Sequence, residues 1–125
     1  MPDTFLSEED LIARLDSDER SMSVVITNPA LPDNPMIYVS DEFEAHTGYA
    51  PDEVLGQNCR FLQGPETDPN AVEAIRAALK ARTTFTIDIL NYRKSGEPFM
   101  NRLRIRPLFD DTGDLLYYVG AQNPI

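Results

Sequence analysis

The segment Gly56-Gln57-Asn58-Cys59-Arg60-Phe61-Leu62-Gln63-Gly64 sets a thiol, carboxamides and a guanidinium between two glycines, among apolar side chains. A single helical turn over Asn58 to Gln63 puts residues three or four apart on one face, so Cys59 shares a face with Leu62 and Gln63, and Arg60 with Gln63. A nucleophilic sulfur, an amide and a cation aimed at one place suit a ligand that is partly aromatic and partly charged. Cys59 is the sole cysteine and His46 the sole histidine. That excludes an internal disulfide and a cysteine zinc site and leaves a transition-metal centre short of ligands, so no metal is expected.

Asn91, Asn101 and Gln122 form a second group, each set in an otherwise apolar or β-branched strand pattern. A carboxamide both donates and accepts, so three of them converging on a pocket can read the alternating N–H and C=O edge of a pyrimidine-like ring. Taken singly, these residues have plainer readings. Cys59 alone is an inert buried thiol, Arg60 a surface ion-pairing residue, Asn91 and Asn101 exposed strand positions, and Gln122 a solvated terminal side chain. His46 reads as an uninvolved surface histidine. A hydrolytic Cys59–His46 pair lacks a third residue to orient it, so the chain is not expected to be an enzyme.

These groups must be held by definite elements. Leu11, Ile12 and Leu15 at helical spacing predict an amphipathic helix within Leu6 to Arg20. Met22 to Thr27 and Met36 to Val39 read as paired strands around a turn-rich connection. Ser40 is expected to cap a helical turn around Phe43 that Gly48 ends, and Pro51 opens another. Asp68 as N-cap with Pro69 at the first position predicts a helix to Arg82, its apolar stripe made of Val72, Ile75, Ala78 and Leu79. Thr84 to Arg93, Pro98 to Phe109 and Leu115 to Gln122 read as strands joined by hairpin turns. The order is two strands, helices, three strands: an α+β domain with one antiparallel sheet and helices gathered on one face.

The 125 residues fit one domain, and a formal charge of −10 repels phosphate backbones, so no direct nucleic-acid contact is expected. No apolar run is long enough to span a membrane and the acidic N-terminus is unlike a secretory signal, which makes the cytoplasm the expected location.

Asn58-Cys59-Arg60-Phe61-Leu62-Gln63 matches the G-x-N-C-R-F-L-Q signature of light-oxygen-voltage (LOV) domains, a branch of the PAS superfamily. The resemblance continues through Leu31 to Tyr38, Thr47-Gly48-Tyr49, Asn91 to Lys94, Asn101 and Gly120-Ala121-Gln122. It implies a five-stranded PAS fold around a flavin pocket over residues 22–123, preceded by a helical extension over residues 1–21. It also implies a blue-light receptor in which Cys59 bonds reversibly to flavin C4a. Asn58 and Gln63 would then contact the ribityl chain, Arg60 and Arg76 the terminal phosphate, Asn91 and Asn101 the pyrimidine edge, and Gln122 the O4 and N5 positions. Val25, Thr27, Met36, Leu62, Leu103, Ile105 and Tyr118 would line the apolar wall. Met36 stands where the family often has a β-branched residue, so a distinctive dark-recovery rate is expected.

FMN is the expected cofactor, because two arginines suit a phosphate, with riboflavin and FAD left open. The competing readings are a flavin-binding redox sensor in which Cys59 takes no part, and an interaction module with no cofactor. With the sequence ending three residues after Gln122, output is expected through contacts with another protein rather than through a fused effector. The apolar side of Leu11, Ile12 and Leu15 motivates a homodimer, and the downstream partner is left unnamed.

Overall fold

A computed structural model of the chain describes residues 7–125. Five strands, β1 (Ser23–Thr27), β2 (Met36–Val39), β3 (Phe85–Tyr92), β4 (Pro98–Phe109) and β5 (Leu115–Pro124), form one antiparallel sheet in the order β2-β1-β5-β4-β3. The two hairpins after β3 and β4 place consecutive strands side by side, and the first hairpin closes the sheet against β5 through β1. Between β2 and β3 lie helices α2 (Asp41–Thr47) and α3 (Pro51–Val54), a 3-10 turn (Cys59–Leu62) and α4 (Pro69–Ala81). As anticipated, Asp68 caps α4 by accepting from Asn70 N at 2.9 Å, and Pro69 opens it.

Every residue of β1 is buried, which fits its β-branched run: both faces of this central strand are covered. The period of two sorts the sheet's side chains. Val24, Ile26, Tyr117, Val119 and Ala121 face one side, where they bury Leu11 and Leu15 of the N-terminal segment. Val25 faces the other side, in a second core with Met36, Val39, Phe43, Val54 and Leu62 beneath α2 and α3. The helices between β2 and β3 gather on this face, as expected, and the separate N-terminal helix, α1 (Glu8–Ala13), covers the opposite one.

The N-terminal helix is also shorter than its apolar spacing suggested, and the part of the expected extension over Met1–Leu6 lies outside the described residues. After α1 the chain breaks because Asp16 and Glu19 cap each other. Glu19 N donates to Asp16 Oδ1 at 2.8 Å and Asp16 N to Glu19 Oε1 at 2.9 Å, which starts a separate 3-10 turn at Glu19–Ser21. Glu19 is only 1% exposed, and Arg106 of β4 holds it with two hydrogen bonds, at 2.7 and 3.1 Å. Ser40 precedes α2 but makes no capping bond; its hydroxyl instead accepts from Val24 N at 2.9 Å and donates to Met22 O at 3.3 Å, tying the helix to β1.

Candidate functional site

The inner face of the sheet, the Cys59–Leu62 turn and α4 enclose a cavity. The same alternation that builds the cores supplies its floor: Ile89 and Asn91 from β3, Asn101, Leu103 and Ile105 from β4, Tyr118, Gly120 and Gln122 from β5, and Val25 and Thr27 from β1. Asn58, Cys59, Arg60, Leu62 and Gln63 line it from the turn, Ile75 and Leu79 from α4.

At one end the three amides form a continuous row. Asn101 Nδ2 donates to Asn91 Oδ1 at 3.0 Å and to Gln122 Oε1 at 3.4 Å, while Asn101 Oδ1 accepts from Asn123 N at 3.1 Å. All three are buried, at 5%, 1% and 4% exposure for Asn91, Asn101 and Gln122, so the reading of them as exposed strand residues does not hold. Buried amides that hydrogen-bond one another and border a cavity present a fixed pattern of donors and acceptors to its contents.

Asn58 caps the 3-10 turn: its Oδ1 accepts from Arg60 N at 2.9 Å, and its Nδ2 donates to Asp33 O at 2.7 Å. That fixes the turn and holds Cys59 on the cavity wall. Cys59 is not fully covered by protein, since it lines the cavity, but its sulfur sits deep among protein atoms. Burial pushes the thiol up to about 12, against a weaker downward pull from its own backbone hydrogen bond and from Arg60. It is a neutral thiol at ordinary pH. Arg60 forms a two-pronged pair with the Asp33 carboxylate where the cavity meets solvent.

Two residues expected at the site lie away from its wall. Arg76 is exposed on α4 and pairs with Glu73 at 2.8 Å; Ile75 and Leu79 take the cavity-facing side of the helix, and the helical period turns Arg76 away. Met36 is 1% exposed but sits behind the wall, in the core that also contains Val25 and Leu62. His46 is half-buried rather than freely exposed: its ring packs edge-on against Phe99 at 4.6 Å, both ring nitrogens are buried without a partner among the described residues, and burial lowers its pKa, with Arg93 adding to the effect. It borders a separate groove, so it does not join Cys59 in a dyad. Of the residues that suggested a dimer, Leu11 and Leu15 are buried within the chain and Ile12 stays exposed.

Asn34, Ile75, Leu79, Ile89 and Gly120 line the cavity without having been singled out for it. Ile75 and Leu79 belonged to the apolar stripe of α4, and Ile89 and Gly120 stand two residues from Asn91 and Gln122 on the same strand face.

The site suits a flavin on three counts. Gly120 keeps the floor low: a Cβ there would lie 3.2 Å from Val25 Cγ2 and 3.6 Å from Leu103 Cδ1. Asn34 lines the cavity with a buried Oδ1 that has no partner among the described residues. The amide row and the Arg60 guanidinium border different stretches of one apolar cavity, as a ring with a polar edge and an anionic tail require. Among the described residues no group of His, Cys, Asp and Glu could hold a metal ion, and no helix is long and apolar enough to cross a membrane.

A PAS domain model matches residues 21–123. A blue-light-activated histidine kinase of Brucella anthropi is 55% identical over 101 residues, which are 81% of this chain and 21% of that protein. Phototropin-2 of Oryza sativa subsp. japonica is 45% identical over 113 residues, 90% of this chain and 12% of that one. The chain thus spans about one fifth or less of these relatives. A solved structure described as "Flavin Analogue Sheds Light on Light-Oxygen-Voltage Domain Mechanism" superposes with a TM-score of 0.83 at 48% identity, covering 86% of this chain and 80% of that one.

Proposed function

Because the chain belongs to the PAS family and, within it, to the light-oxygen-voltage domains, we propose that it is a blue-light receptor that binds FMN in this cavity and bonds it reversibly through Cys59. The observation that carries the reading is the meeting of Cys59 with the Asn91, Asn101 and Gln122 amides on one cavity. When bound, the flavin supplies the absorption of blue light and the carbon that the sulfur attacks.

The chain's residues supply the rest. The 3-10 turn, pinned by Asn58, orients Cys59 toward the cavity, and burial holds the proton on its Sγ. The amide row binds and orients the ring's polar edge, Leu62, Leu103, Ile105 and Tyr118 exclude water from its faces, and Arg60 attracts a terminal phosphate. Gln122 lies on β5, between β1 and β4, so a change in its hydrogen bonds is felt by the centre of the sheet. From there the signal leaves by altered contacts with another protein, a homodimer partner included.

The test is the absorption spectrum of purified protein before and after a blue flash. Loss of the blue band with recovery in darkness, absent in Cys59→Ala, supports the reading. A yellow protein unchanged by light sinks the photochemistry in favour of a redox-sensing flavoprotein, and a colourless one that takes up no FMN removes the cofactor.

A further inference from the structure

Arg60 is the guanidinium at the cavity, and both of its terminal nitrogens are engaged by the Asp33 carboxylate. Asp33 is held there with care. Its φ is +68° and that of Asn34 is +49°, left-handed values that a glycine would adopt without strain, and Asn58 Nδ2 pins the Asp33 carbonyl at 2.7 Å. The pair is exposed, 58% for the Arg60 side chain and 59% for that of Asp33, so it adds little to the stability of the fold. A carboxylate and a phosphate seek the same fork on a guanidinium. An anionic ligand must therefore displace Asp33 or share Arg60 with it, and Arg76, paired with Glu73 away from the cavity, gives no substitute.

On the reading that the cavity takes a flavin, we propose that Asp33 is a resident counter-anion to Arg60 that sets how strongly the site prefers a phosphorylated over an unphosphorylated flavin. The carboxylate does this by occupying the guanidinium that a phosphate would use. It weakens the preference for FMN over riboflavin and leaves contacts to the shared ring and ribityl chain untouched.

The experiment titrates the full chain, stripped of cofactor, with FMN and with riboflavin by fluorescence quenching, and takes the ratio of the two dissociation constants. Asp33→Asn keeps the main-chain carbonyl that Asn58 uses and removes the charge. It should raise the preference for FMN by about threefold or more. Glu73→Gln should leave the preference unchanged, and Asp33→Asn should have no effect on it in an Arg60→Ala background. Any general damage to the fold weakens both flavins and cancels in the ratio. An unchanged or lower preference in Asp33→Asn, with both flavins still bound, overturns the role of Asp33 alone. If the unmodified chain binds neither flavin, the flavin reading falls and this proposal with it.

Discussion

Asn101 donates to Asn91 across 3.0 Å from β4 to β3, and the same Nδ2 reaches Gln122 on β5. One side chain thus links three strands on the cavity face. Asn101→Leu leaves Asn91 Oδ1, Gln122 Oε1 and Asn123 N without this partner. Leaving buried polar groups unpaired costs about 1–3 kcal/mol. Chemical denaturation of the variant should show a loss of that size, and its yield of bound flavin should drop; native stability with full flavin content would show that the row is incidental.

The Cys59 thiol carries a signed pH dependence. Well below pH 9.0 it is protonated in the folded and unfolded chains alike and contributes no slope. Between 9.0 and about 12 the unfolded chain gives up the proton while the folded one keeps it, so stability falls with rising pH. The slope approaches but does not exceed about 1.4 kcal/mol per pH unit. Stability of the unmodified chain minus that of Cys59→Ala, followed from pH 7 to pH 11, should be flat and then decline. A difference that stays constant across the range would mean the sulfur is solvated.

Gly64 follows the cysteine turn, and a Cβ on it would overlap the ring of Tyr92. The Tyr92 hydroxyl accepts from Glu66 N at 3.0 Å, so the ring is not free to swing aside without losing that bond. Gly64→Ala should destabilise by about 1–3 kcal/mol through overpacking. Tyr92→Leu in the same chain should recover part of the loss, and a double-mutant cycle by thermal melting tests this: strict additivity would locate the damage elsewhere.

Glu19→Ala leaves Arg106 on the sheet without its buried partner. Removing one member of such a pair costs about 3 kcal/mol. Hydrogen exchange should show the amides of α1 and the Glu19–Ser21 turn losing protection before the central strands do. Equal loss everywhere would mean that the pair does not govern the N-terminal segment in particular.

Much of the fold is legible in the sequence itself. Strand period and turn residues located all five strands, and Asp68-Pro69 marked the start of α4 to the residue. Three features were not legible, two because local patterns carry no information on distant partners and one because two local patterns compete over the same residues. The apolar spacing of Leu11 and Leu15 is the same whether they face another protein or their own sheet. The helical periodicity up to Arg20 conceals the competition that the Asp16 and Glu19 side chains win. Arg76 was expected at a phosphate on resemblance alone, but its direction depends on how α4 rolls against the sheet, and Ile75 and Leu79 decide that. Gly120 and Ile89 were within reach: stepping two residues back from Gln122 and Asn91 along each strand finds them.

The Glu19–Arg106 pair also bears on where the domain can be cut and joined. Leu11, Leu15 and Glu19 are buried contributions to the sheet's outer face, although the PAS match begins only at residue 21. A fusion whose junction follows the family boundary would expose Val24, Ile26 and Val119 and strand a cation among them. A graft that carries the chain from Ser7, the N-cap of α1, onward keeps that surface closed, so the packed side chains reach further toward the N-terminus than the family match does.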